Sequence, residues 1–134
     1  MSFNDDLITE FRENKGVVGG MFEGAKLLLL ISKGAKSGVE RITPLVYSMD
    51  GDKYVIAASK GGADTHPDWY YNLIANPDVQ IEVGENKFDV VATEVDEPTR
   101  RKLYDSHAEE NPGFKEYESK TKRLIPIFTL KIKN

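Results

Sequence analysis

Two cations and a glycine lie close together at Lys36-Ser37-Gly38 and Arg41. A glycine in a loop lets backbone amides come close to an oxyanion. Arginine adds a planar guanidinium that holds a phosphate or carboxylate through two parallel hydrogen bonds. The order and spacing are not those of the phosphate-binding P-loop. On the residues alone, an anion-binding loop and an ordinary surface turn both fit. Further on, Ala57-Ala58-Ser59-Lys60-Gly61-Gly62 ends an apolar run in small side chains, which leave room for a flat ring against the backbone. Ser59 offers a hydroxyl and Lys60 a charge. A tight turn after a barrel strand is the other reading.

Trp69 stands at helical spacing from Leu73, which favours the core, and Asn72 beside them needs partners if buried. Phe114 and Tyr117 are spaced to share a helix face, either as a lid over a pocket or as a satellite cluster. His66 falls in a helix-start motif and reads as a capping-region residue. His107 has neither a nucleophile nor a metal partner in view. None of Ser32, Ser37, Ser48 and Ser59 has a serine-hydrolase context. The chain has no cysteine and two histidines, which excludes disulfides, iron–sulfur clusters, thiolate zinc and cysteine nucleophiles, and argues against a histidine metal site.

These residues belong to a chain of 134 residues, 40% hydrophobic and 30% charged, which is one domain with a real core. The formal net charge of −4 argues against general nucleic-acid binding. Residues 33–60 run the other way, with five basic residues against three acidic ones. A basic stretch in an acidic chain points to an anionic small ligand, or to a solvated face. The longest apolar run, at residues 27–31, is too short to span a bilayer. Asp5, Asp6 and Glu10 stand where a signal peptide would be basic. The expectation is a soluble, cytoplasmic protein.

The elements that must position these groups follow from patterning. Residues 4–14 read as a short helix with acidic residues at its start, as the helix dipole prefers. Gly16, Gly19, Gly20 and Gly24 then loosen the backbone. Residues 26–32 read as a buried strand. Residues 42–49 and 54–59 read as two more, joined at Asp50-Gly51 by a type I′ hairpin turn. Thr65 and Asp68 make a capping-box pattern before a helix that carries Trp69 and stops at Asn76-Pro77. Alternation marks strands at 79–83 and 87–95. A polar helix runs from 96 to about 110, a short one spans 114–119, and Ile127–Ile132 is a final strand. Adjacent hairpins with one inserted helix fit an α+β antiparallel barrel better than a doubly wound parallel sheet.

Taken in order, the quoted residues resemble one family. Lys36-Ser37-Gly38-x-x-Arg41-x-Thr43-Pro44-Leu45, Asp50-Gly51, Ala58-Ser59-Lys60-Gly61-Gly62 and Pro67-x-Trp69-Tyr70-x-Asn72-Leu73-x-Ala75-Asn76-Pro77 are similar to the deazaflavin (coenzyme F420)-dependent nitroreductase or quinone reductase family. Phe11-Arg12-x-Asn14 and Arg123-x-Ile125-Pro126 fit it too. The resemblance implies a single split β-barrel domain over residues 1–134, with an N-terminal helix, an inserted helix and C-terminal helices. The implied cofactor, F420, is flat at one end and carries a phosphate and an oligoglutamate tail at the other.

By the same resemblance, Lys36, Ser37, Gly38 and Arg41 hold the tail or phosphate. Ala57, Ala58, Ser59, Lys60 and Gly61 lie beside the ring, Trp69 and Asn72 contact the cofactor, and Pro44 lines the pocket. Val46, Phe114 and Tyr117 face the acceptor, and Ser59 and Tyr117 are the catalytic hydroxyls, as proton donors to it. The implied reaction is hydride transfer between F420 and a small organic acceptor, with no metal. Relatives active on bulky nitro compounds surround the acceptor with several tyrosines, but the matching positions here hold Val46, Phe114, Tyr117 and Lys120. A quinone or enone is therefore the expected acceptor. The alternatives are a non-catalytic F420-binding or storage protein and a barrel that binds flavin mononucleotide. A homodimer and weak peripheral membrane association are compatible with the resemblance, although the acidic N-terminal segment resists anionic lipid.

Overall fold

The computed structural model describes residues 3–19 and 26–133. Gly20 and Gly24 lie outside the described residues. Helix α1 (Phe3–Glu13) is followed by β1 (Leu27–Lys33), β2 (Glu40–Val46), β3 (Ser48–Asp50) and β4 (Lys53–Ala57). A 3-10 turn (Lys60–Gly62) leads to α2 (Asp68–Ala75), β5 (Asp78–Val83) and β6 (Asn86–Glu94). Helices α3 (Thr99–Glu110) and α4 (Gly113–Lys120) precede β7 (Ile127–Ile132).

The seven strands form one antiparallel sheet in the order β2-β1-β5-β6-β7-β4-β3. Its two end strands are consecutive in the chain and separated by Tyr47 alone, so the sheet curls round into a half-barrel. Sequence patterning predicts one strand over 42–49, but the backbone breaks at Tyr47, whose N–H donates to the Lys26 carbonyl at 3.0 Å. Pro44 is tolerated because β2 stands at the sheet edge.

β1 explains the architecture. Leu28 and Leu30 join the barrel interior with Ile56, Ile81, Val90, Phe128 and Leu130, and α2 caps that cluster with Trp69 and Leu73. Leu27 and Leu29 face the other way and pack under Leu7 and Phe11 of α1. The run is continuously apolar because both of its faces are buried. Each such fully buried side chain contributes about 1.5–3 kcal/mol. A third cluster packs Leu103, Tyr104 and Ala108 of α3 on Val55, Ala57 and Ile127, with Phe114 and Tyr117 of α4 at its edge.

Two local expectations are corrected. The hairpin loop is Gly51-Asp52, since Asp50 pairs with Lys53. Gly51 alone takes a positive φ, of 62°, as in a type II′ turn rather than I′. The capping box does not form either. No side chain caps α2, and the Thr65 hydroxyl instead accepts from Lys60 Nζ at 3.3 Å.

Candidate functional site

The loop after β1, the exposed edge of β2, α1 and α2 enclose a groove of about 1230 Å³. Lys36, Ser37, Arg41, Trp69 and Asn72 line it, so five of the residues singled out from the sequence meet there. Asn72 is buried, and its Oδ1 accepts from the Ala35 amide at 2.9 Å. That bond ties the loop to α2. Ser37 Oγ accepts from the Val39 amide at 3.1 Å, which shapes the loop from within. Gly38 has a φ of +69° and open space where a Cβ would stand, so backbone conformation, not crowding, asks for glycine there. Trp69 serves two roles, lining the groove and packing in the barrel interior 6.0 Å from the Phe128 ring.

Charge in the groove is unevenly committed. Arg12 lines it but is already paired to Glu82 through two bonds, of 3.2 and 2.6 Å. That pairing raises the Arg12 pKa and fastens α1 to β5. Lys36 and Arg41 form no ion pair among the described residues. Both are exposed at the groove wall, where an anion can reach them.

A second group of residues lies apart from the groove lining. Ala57 and Ala58 point to opposite faces, one into the α3 cluster and the other into the barrel interior. Whatever approaches this stretch therefore meets backbone. Ser59 is buried and its hydroxyl makes no hydrogen bond among the described residues. Lys60 holds a φ of 48°, Gly61 of 64° and Gly62 of 86°. Helix α4 sits directly on this turn. A Cβ on Gly62 would stand 3.0 Å from Lys120 Cβ and 3.1 Å from the Tyr117 carbonyl.

The acceptor set is only partly assembled within one chain. Phe114 and Tyr117 pack together with ring centroids 5.1 Å apart, at the edge of the α3 cluster. The Tyr117 hydroxyl folds back toward Gly113. Val46 instead packs in the α1 cluster, and Pro44, two residues before it, shares its face of β2. The structure does not bring Val46 together with Phe114 and Tyr117.

Sequence reasoning gave no site role to two arginines. Arg12 was visible only as part of the family-like string. Arg123 was quoted for the same reason, yet its guanidinium reaches back to residues 58–63 and to His66. His66 is not a cap. Its Nδ1 accepts from Arg123 Nη1 at 3.0 Å, and its ring stacks on Tyr70 at 4.2 Å. Burial and the neighbouring Arg123 charge hold His66 below the usual histidine range. Among the described residues no cluster of three or more His, Asp or Glu could hold a metal.

A family model described as F420H(2)-dependent quinone reductase matches residues 6–131. The chain belongs to this family. It is 43% identical over 124 residues to an F420H(2)-dependent quinone reductase of Mycobacterium tuberculosis, covering 90% of this chain and 83% of that protein. Among solved structures, an F420-H2 dependent reductase is similar at 38% identity and a TM-score of 0.73, with 79% of this chain and 94% of that one covered. Another, described as a domain-swapped dimer, is similar at 36% identity and a TM-score of 0.75, covering 95% and 93%. In this reductase family member, the groove residues fit a ligand that is flat at one end and polyanionic at the other. Two unpaired cations flank a glycine-bearing loop, and an indole stands beside them.

Proposed function

We propose that this protein reduces a small organic acceptor, a quinone or enone, with the deazaflavin coenzyme F420. The observation that carries the reading is the groove, where Lys36 and Arg41 stand unpaired beside the Gly34–Ser37 backbone in a chain of this family. When bound, reduced F420 supplies the hydride. Lys36, Arg41 and the amides of Lys36 and Ser37 hold its anionic tail, with Ser37 and Gly38 shaping the loop. Trp69 and Asn72 set the wall between tail and ring. Ala57, Ala58, Ser59, Lys60 and Gly61 present backbone to the ring, and Pro44 closes the β2 side. Ser59 and Tyr117 are the hydroxyls proposed to supply the acceptor's proton, with Phe114 beside Tyr117, while Val46, packed against α1, does not join them within one chain. Membership of a reductase family favours turnover over storage, and F420 over flavin mononucleotide.

Titrating the protein with each cofactor and following fluorescence tests the assignment. F420 is expected to bind more tightly than flavin mononucleotide, since the latter offers no oligoglutamate tail to Lys36 and Arg41. Equal or tighter binding of flavin mononucleotide overturns it.

Tyr117→Phe is expected to lower quinone turnover on the order of tenfold, with F420 affinity unchanged. That is less than the usual 10²–10⁴-fold for a positioned acid–base group, because solvent can substitute for it. Parallel measurement of turnover and affinity decides. Unchanged turnover removes Tyr117 and leaves Ser59 or solvent as the proton source.

No helix among the described residues is long and apolar enough to cross a membrane. A cytoplasmic location with at most weak peripheral association is proposed from the acidic N-terminal segment, with Asp5, Asp6 and Glu10. A homodimer is proposed from the relative described as a domain-swapped dimer.

A further inference from the structure

The Arg123 guanidinium makes four hydrogen bonds, and none goes to a carboxylate. Nε donates to the Ala63 carbonyl at 2.9 Å and Nη1 to His66 Nδ1 at 3.0 Å. Nη2 donates to the Ala58 and Ser59 carbonyls at 3.2 and 2.9 Å. A half-buried guanidinium is thus spent entirely on neutral acceptors, and all of them lie between residues 58 and 66. Carboxylates suit the guanidinium fork best, because they accept it bidentately and carry the opposite charge, and this arginine bonds none of them. The question is what the turn gains.

The turn gains shape first. Ser59 is right-handed, with φ −80° and ψ −35°, and Lys60 after it is left-handed, with φ 48°. That succession turns consecutive N–H groups toward one side, which makes an anion-binding concavity. The amides of Ser59, Lys60 and Gly61 donate to no acceptor among the described residues. A non-glycine residue held left-handed is strained and persists only where its surroundings over-determine it. Arg123 bonds the carbonyls on both sides of Ser59 and one beyond the glycines, so it spans the strained unit.

The turn also gains donor strength. The Ala58 carbonyl belongs to the peptide group that carries the Ser59 N–H. The Ser59 carbonyl belongs to the one that carries the Lys60 N–H. A cation bonded to a carbonyl oxygen draws electron density from its amide and sharpens the N–H on the far side. Arg123 therefore acts on the two amides that open the concavity.

We propose that Arg123 is a positioning residue, which holds the Ser59–Gly61 amides in place and strengthens them as donors to a carbonyl oxygen of a bound flat ring. This rests on the reading that the ring lies beside residues 57–61. The assignment of tail binding to Lys36 and Arg41 is separate from it, since neither touches Arg123.

The experiment has one arm without cofactor and one with it. Arg123→Lys keeps the charge but not the fork, and Arg123→Met removes both. In the protein alone, proton–nitrogen spectra are expected to show the Ser59 and Lys60 amide protons moving upfield in both variants. The His66 imidazole, which faces Arg123, Tyr70 and Tyr71 and feels Glu94, is expected to titrate higher in Arg123→Met. Unchanged amide shifts in folded Arg123→Lys overturn the proposal. If Arg123→Met does not fold, Arg123→Lys alone decides.

With F420 and a quinone, Arg123→Lys is expected to lose on the order of tenfold in kcat, while F420 affinity changes by less than about threefold. A fall in both that tracks the fraction of unfolded protein marks a purely structural residue and overturns the proposal. Should the unaltered protein bind no F420, the ring-side reading fails, and the cofactor-free arm still decides whether Arg123 controls the amides.

Discussion

Replacing Lys36 and Arg41 together with alanine is expected to weaken F420 binding by about 100-fold at low salt. A well-formed charge-assisted hydrogen bond is worth roughly 1.5–3 kcal/mol. Both residues are exposed at the groove wall, so screening takes each toward the lower end, near 1.4 kcal/mol or about tenfold. The effect is selective because neither side chain is used elsewhere. Lys36 and Arg41 make no ion pair among the described residues, whereas Arg12 in the same groove is bound to Glu82. Removing them costs the fold little. The wild-type affinity is expected to fall as salt rises and that of the double variant to stay nearly flat. Fluorescence titration at low and high salt reads both quantities. Wild-type affinity in the double variant at low salt places the tail elsewhere, with Arg12 and Lys60 next in line.

The second large effect is on stability and involves His107. This ring is fully buried on α3. Its Nδ1 lies 2.8 Å from Ser48 Oγ, its Nε2 has no partner among the described residues, and the Phe114 ring stands edge-on at 4.4 Å. Burial pushes its pKa down to about 4, against only a small opposing pull from Glu110. In the unfolded chain the same imidazole titrates near its ordinary value of 6.5. Above that pH neither state binds the proton, and stability is full. As pH falls below it, the unfolded chain takes up a proton that the fold refuses, so stability drops until about pH 4. The slope is about 1.4 kcal/mol per pH unit, which makes the loss roughly 2 kcal/mol between pH 6.5 and 5. That window lies mostly above carboxylate titration. Thermal melts should show the midpoint falling by roughly 6–10 °C over it, and His107→Gln should flatten the dependence. A melting temperature constant over this window would mean that the imidazole charges within the fold.

Much of the fold was legible because local pattern and tertiary environment agree. Ile127–Ile132 was read with its observed bounds, since a short apolar strand between Pro126 and the chain's last lysines has few other options. The break at Tyr47 was not legible. Nothing in Thr43-Pro44-Leu45-Val46-Tyr47-Ser48 interrupts a strand locally, and the bend is set by the sheet closing on itself. The capping box at Thr65 failed for a similar reason, because Lys60 claims its hydroxyl from the preceding turn.

The candidate site divides the same way. The loop from Gly34 to Gly38 was legible from residue types, and Asn72 was marked only as an amide that needs partners if buried, which it is. That its partner is the Ala35 amide, 37 residues away, could not be read from spacing. The placement of α4 on Gly62 and the reach of Arg123 back to residues 58–66 are contacts of long sequence separation. Alternation also separates Ala57 from Ala58, a distinction that a string match passes over.

The central claim is that this chain passes a hydride from F420 to a quinone. Mixing the protein anaerobically with reduced F420 and a small quinone, and following the visible absorbance of oxidised F420, tests it most directly. The account predicts that absorbance returns in proportion to protein, over many turnovers, and that flavin mononucleotide does not replace the cofactor. Tight F420 binding with no return of absorbance above the protein-free rate would contradict it and leave a protein that binds the cofactor without using it.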